Sequence, residues 1–164
     1  MEIETDQTDF VRAEGVFFLA HILRRLSDEI IDGCVSWYAD MGLDVPPRTA
    51  STLHLLYRRG PQPVTEMSSA LRQSHPLAIQ WIRQLTALGL VETAKDVGDR
   101  RRTIVSLTLK GAETAERLIA SHEAFETAYT RLARDADADP FDALWRMEDA
   151  LRQRSMRDRL RSTQ

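Results

Sequence analysis

Cysteine is almost absent from this chain. Cys34 stands alone among 164 residues, so no internal disulfide can staple the fold, and the missing pair fits a reducing compartment. No run of apolar residues reaches the length of about 18 that a membrane helix needs, and no basic segment with an apolar core opens the chain. A soluble, unexported, cytoplasmic protein without a membrane partner is the expectation. Glycine is scarce and never clusters into a phosphate cradle, and neither a nucleophile elbow nor a paired catalytic motif is present, which argues against an enzyme. His21, His54, His75 and His122 form no i, i+4 pair and no cluster with cysteine or carboxylates, so neither a metal nor a cofactor is expected. Positive charge is also in deficit. A net charge of −3 by itself speaks against a polyanionic partner.

The distribution of charge says otherwise. From Arg58 to Lys110 there are nine basic and four acidic residues, whereas the remainder holds thirteen basic and twenty-one acidic ones. Such segregation lets one locally basic face meet phosphates while the acidic remainder keeps the chain soluble. The plainer alternative is that the flanking helices are simply acid-rich.

That basic stretch, residues 63 to 111, has the pattern helix, tight turn, helix, then two short strands joined by an arginine-rich tip. Thr65 behind Pro63 reads as the cap of a helix through Met67, Ala70 and Leu71, with Glu66, Ser68, Ser69 and Arg72 facing outward. Ser74 caps a second helix starting near His75, with Pro76 in its first turn, where a missing amide hydrogen costs nothing. Ala78, Trp81 or Ile82, Leu85 and Leu88 hold this helix down, leaving His75, Leu77, Gln80, Arg83 and Gln84 on the other side. Gly89 stops it, a strand runs from Leu90 to Lys95, and Asp96 to Asp99 supply turn chemistry. Arg100, Arg101 and Arg102 follow; three adjacent guanidinium groups repel one another and call for an anion. Thr103 to Leu109 reads as the return strand, and Thr108 caps a helix from about Lys110.

Leu88-Gly89-Leu90-Val91, then Asp96, Asp99-Arg100-Arg101, Val105-Ser106-Leu107-Thr108 and Gly111 resemble the winged-helix signature of MarR-type bacterial transcriptional regulators. In pattern the resemblance extends from about Val16 to Met156. Val97 departs from it where the family often has proline, and Pro76-Leu77 where small hydroxyl residues are commoner, so base preference is not carried across. The implied fold is mainly α with a small two-stranded β wing, a winged helix-turn-helix flanked by long dimerisation helices. The implied function is a homodimeric regulator, a repressor, on double-stranded DNA with a pseudo-palindromic operator. Ser69 and Arg72 are the backbone candidates, and Ser74, His75, Gln80 and Arg83 the groove candidates, because Gln pairs bidentately with adenine and Arg with guanine. Asp99 is expected to hold a neighbouring guanidinium, and Arg100, Arg101 and Arg102 to reach phosphates or the minor groove. The competing reading is a winged helix that docks a protein instead of DNA.

Flanking regions supply the arms. Residues 1 to 14 read as a frayed or helical lead-in, 15 to 45 as a dimerisation helix, 46 to 111 as the winged unit and 112 to 164 as further dimerisation helices. Val16, Leu19, Leu23, Leu26, Ile30 and Trp37 make an apolar stripe ending before Gly42. A shorter helix from Arg48 to Arg59 turns Thr52, Leu53, Leu55, Leu56 and Tyr57 inward, and a long helix after Gly111 carries Leu118, His122, Phe125, Tyr129 and Leu132. Asp139 caps a last helix from Pro140 to about Arg159. Stripes of this kind need a partner surface, and a second copy is the simplest one. The resemblance further implies a small apolar or phenolic effector, for which Trp37, Tyr38, His54, Tyr57, His122 and Phe125 are the candidate lining. Some family members sense peroxide through a cysteine near the start of the first helix. Cys34 lies near its far end, where a buried inert thiol is the favoured reading.

Overall fold

The computed structural model describes residues 9–162 and divides into two units, Met1–Ile119 and Ala120–Gln164. In the first, Asp9 caps a one-turn helix α1 (Phe10–Ala13) by accepting from the amides of Val11 and Arg12 at 3.0 and 3.2 Å. The long helix α2 runs Leu19–Asp40. It begins later than the stripe from Val16 suggests, because Gly15 has φ +66° and Gly15–Phe18 form a 3-10 turn. Residues 1–8, most of the expected lead-in, lie outside the described residues.

The winged unit follows. A 3-10 turn, Pro47–Thr49, leads into α3 (Ala50–Arg59), which buries Thr52, Leu53 and Leu56. Tyr57 does not face inward as expected; it falls beside that stripe and is exposed. Gly60 at φ +76° ends the helix. Then come β1 (Gln62–Pro63), α4 (Val64–Ala70), α5 (His75–Ala87), β2 (Val91–Lys95), β3 (Thr103–Leu107) and α6 (Leu109–Ala120). The sheet has three antiparallel strands in the order β1-β3-β2, not two. β1 pairs Gln62 with Val105 and Pro63 with Ile104, and it is too short to leave a periodic signal. Pro63 is tolerated because β1 is an edge strand. β2 and β3 pair from Val91↔Leu107 to Lys95↔Thr103. One core is assembled from all these elements: Leu53, Leu56, Met67, Leu85, Leu90, Val91 and Val105 are fully buried.

At the joint behind the wing, α5 ends through Gly89 (φ +69°), whose amide donates to Thr86 O while Leu90 N donates to Leu85 O. Thr108 caps α6 as its position suggests. Its hydroxyl accepts from Gly111 N at 3.0 Å and donates to Gly89 O at 2.6 Å, while Lys110 Nζ donates to Leu88 O at 2.8 Å. Gly111 sits against this joint so closely that an added Cβ would lie 1.8 Å from Leu90 O.

The second unit holds α7 (His122–Asp135), α8 (Pro140–Gln153) and α9 (Met156–Arg161). The single long helix expected after Gly111 is two, α6 and α7, parted at Ser121, whose carbonyl accepts from both Ala124 N and Phe125 N. Asp139 caps α8 as expected, accepting from Phe141 N at 3.3 Å. The last helix does not continue to Arg159, because Arg154 is extended (φ −143°, ψ 116°) and Ser155 caps α9 by accepting from Asp158 N. No residue of α7, α8 or α9 is buried; Phe141, Leu144, Trp145, Met147, Leu151, Met156 and Leu160 are all exposed. Among the described residues, no helix is long and apolar enough to cross a membrane.

Candidate nucleic-acid interface

α4 starts at Val64 directly from the extended Pro63, so Thr65 is an exposed first-turn residue and not the cap its position suggests. Ser68 is not outward either. It is buried, and its hydroxyl donates to Val64 O at 2.8 Å. Ser69 and Arg72 are exposed. The turn to α5 places Arg72 at φ +52°, a left-handed conformation that costs a residue with a Cβ about 1–2 kcal/mol, and Gln73 N closes it on Ser68 O at 2.9 Å. Ser74 then caps α5, accepting from Leu77 N at 3.4 Å, a long bond that makes this cap a weak one.

The division of α5 follows the sequence pattern. Ala78, Ile82 and Leu85 are buried, whereas Ser74, His75, Gln80, Arg83 and Gln84 are exposed. This leaves an outward face carrying three amide or guanidinium side chains, Gln80, Arg83 and Gln84, suited to base edges, and an N-terminal helix end whose free amides favour anions.

The hairpin tip is shaped by carboxylates. Asp96 Oδ1 accepts from Gly98 N at 2.8 Å and Asp99 N at 3.4 Å, and Arg102 N donates to Asp99 O at 2.9 Å. Asp99 does not hold a guanidinium as expected; instead its carboxylate accepts from the backbone amide of Arg101 at 3.0 Å, because a side chain this short in a turn reaches an amide two residues on more easily. Val97, Arg100 and Arg101 project at the exposed tip, and the guanidinium groups of Arg100 and Arg101 have no partner among the described residues. Arg102 differs from both. It donates to Glu66 Oε1 of α4 at 2.5 Å, a contact that sequence reading misses because it spans 36 positions without a local signal.

The candidate effector residues divide between the units. Trp37 and Tyr38, with ring centroids 6.1 Å apart, sit at the end of α2, Tyr38 buried; His54 and Tyr57 are exposed on α3. His122 and Phe125 belong to α7, where Phe125 stacks on Tyr129 at 6.1 Å. Cys34 is half-buried on α2, and burial pushes its thiol above the ordinary value, which lowers the thiolate fraction that an oxidant attacks. Among the described residues no group of three histidine, cysteine or carboxylate side chains is placed to hold a metal ion.

Residues 43–102, which span α3 to the wing tip, match the family model described as MarR family. Over those residues the chain is similar to the MarR family. Its fold is shared with solved MarR-type structures at low identity. The DNA complex of Staphylococcus aureus MepR is 19% identical, with 89% of this chain and 98% of that one covered at a TM-score of 0.62. A mutant of Escherichia coli MarR complexed with operator DNA is 18% identical, with coverage of 82% and 89% and a TM-score of 0.60. PcaV of Streptomyces coelicolor, in complex with its natural ligand, is 21% identical, with coverage of 80% and 92% and a TM-score of 0.64. No curated protein sequence matches the chain.

Proposed function

We propose that this chain is a homodimeric, sequence-specific DNA-binding transcriptional regulator of MarR type in the cytoplasm, acting as a repressor by obstructing promoter access. The observation that carries the reading is the winged unit itself. It exposes the Ser74, His75, Gln80 and Arg83 face of α5 and the unpaired guanidinium groups of Arg100 and Arg101, within a stretch of an acidic chain where bases outnumber acids two to one. The α5 side chains read base edges in the major groove, and the tip arginines neutralise phosphates or enter the minor groove. MepR and MarR, whose fold this chain shares, are solved on DNA.

Dimerisation is supported by the arms. Helices α7 to α9 have no buried residue and α2 buries Tyr38 alone, so their apolar side chains lack a core within the described chain. A two-fold partner covers them and sets two copies of α5 about 34–36 Å apart, in successive major grooves of a pseudo-palindromic site. A small aromatic or apolar effector that releases DNA accords with the ligand-bound PcaV. A coupling of roughly 1–3 kcal/mol would suffice.

The deciding experiment titrates a duplex carrying the chain's own upstream DNA at several salt concentrations. Binding whose logarithm falls linearly with the logarithm of salt is expected, with Gln80→Ala altering which sequence is preferred. No binding at low salt would instead favour a winged module that docks a protein.

A further inference from the structure

The three tip arginines are not equivalent, and the difference concerns direction. Every hydrogen bond within residues 96–102 is local to the turn: Asp96 to Gly98 and Asp99, Asp99 to Arg101 and Arg102, Asp96 N to Arg102 O. These bonds fix the shape of the tip but not where it points, and the strand ladder ends below it at Lys95↔Thr103. Among the described residues, the polar contact that leaves the tip for another element is Arg102 Nη2 to Glu66 Oε1 of α4, at 2.5 Å, with Arg102 Nε 4.0 Å from Asp96 Oδ2.

From this contact we infer that Arg102 is a positioning residue and not a DNA contact: held between Glu66 and Asp96, it ties the wing tip to the first helix of the helix-turn-helix, so that Arg100 and Arg101 meet the DNA at a fixed offset from α5. The inference rests on the DNA-binding reading above and assigns a part within it. It also gives Glu66 a purpose. A carboxylate on a helix beside a polyanion is repulsive by Coulomb's law alone, so removing its charge should strengthen binding. If Glu66 instead aims the wing, removing its charge must weaken binding. The two accounts differ in sign.

The test measures fluorescence anisotropy of a labelled upstream duplex with wild type, Arg101→Ala, Arg102→Gln, Glu66→Gln, the Glu66→Gln/Arg102→Gln double variant and the Glu66→Arg/Arg102→Glu exchange. Both partners are well exposed, so melting temperatures should hardly move. Glu66→Gln and Arg102→Gln should each weaken binding by roughly two- to fivefold, with the double variant no worse than either and the exchange recovering part of the loss. Arg101→Ala should lower the salt slope by roughly one, whereas Arg102→Gln should leave it near that of wild type. Tighter or unchanged binding by Glu66→Gln, or a slope for Arg102→Gln that falls as for Arg101→Ala, would overturn the inference and return Arg102 to the contact surface. Wild type that binds no duplex at low salt would overturn the DNA-binding reading itself, and that result is read before any variant.

Discussion

Replacing Gly111 by alanine tests the joint on which the wing is mounted. A Cβ built at this position lies 1.8 Å from Leu90 O and 2.8 Å from Leu90 C, whereas ordinary contact begins near 3.4 Å, so α6 and the Leu90 peptide must part by more than an ångström. Backbone stands on both sides, and no side chain can swing away to relieve the clash. The same joint holds Thr108 N to Leu90 O at 3.1 Å and the Thr108 hydroxyl between Gly89 O and Gly111 N, so separation also stretches these bonds. Alanine in a helix would return about 1 kcal/mol relative to glycine. Against that stand an overpacking cost of about 1–3 kcal/mol and one or two hydrogen bonds of about 1 kcal/mol each. The balance is a loss of about 3 kcal/mol, or a melting temperature lower by about 6–12 °C for a chain of this size. Thermal denaturation followed by circular dichroism, at one fixed protein concentration because a dimer's melting point depends on it, makes the measurement. A Gly111→Ala protein that melts at or above the wild-type temperature would show that the joint yields freely and that the contact does not hold the wing.

Two further outcomes follow from the arms. Leu144, exposed on α8 beside Phe141 and Trp145, should carry part of a two-fold interface, so Leu144→Glu should weaken self-association by roughly tenfold or more in sedimentation experiments; an unchanged sedimentation profile would place the interface elsewhere. The Arg25 guanidinium, 2.5 Å from Asp9, holds that carboxyl below its ordinary value of 3.8, with the Arg12 and Val11 amides adding to the effect. A depressed folded value means that the contact contributes above the ordinary carboxylate range and is lost as pH falls through the folded value. Arg25→Ala should therefore raise the Asp9 titration midpoint measured by NMR, and a midpoint that stays put would remove the pair.

What could be read beforehand, and what could not, divides by distance along the chain. Ser74, Asp139 and Thr108 each bind an amide two or three residues away, and Gly89 closes a helix on its own last turn, so residue type alone announces them. Local signals also compete. Thr65 and Pro63 both suggest a helix start, and the chain takes the earlier one because Pro63 is extended by pairing with Ile104, a partner 41 positions on. Ser155 likewise wins over the apolar periodicity that would carry α8 onward. The candidate interface shows the same limit. The outward face of α5 is legible from helical spacing, but the separate fate of Arg102 depends on Glu66, and three consecutive arginines offer no internal reason to single one out.

Net charge and local charge lead to one last consequence. Pairing two chains would double the overall negative charge, yet it would also double the basic stretch from Arg58 to Lys110, in which the Arg100 and Arg101 guanidinium groups have no partner among the described residues. On the proposed function, long-range attraction to DNA would be weak from most directions, and binding would depend on presenting both winged units at once. An acidic chain of this design should give up general affinity for duplex DNA and keep steep salt dependence at the site it fits. Because α7 to α9 bury no residue, a pairing that covers them would, on the proposed function, also be the pairing that presents both winged units. Loss of the dimer should thus abolish operator binding before it unfolds the winged unit, whose buried core of Leu53, Leu56, Met67, Leu85 and Val105 lies wholly within one chain.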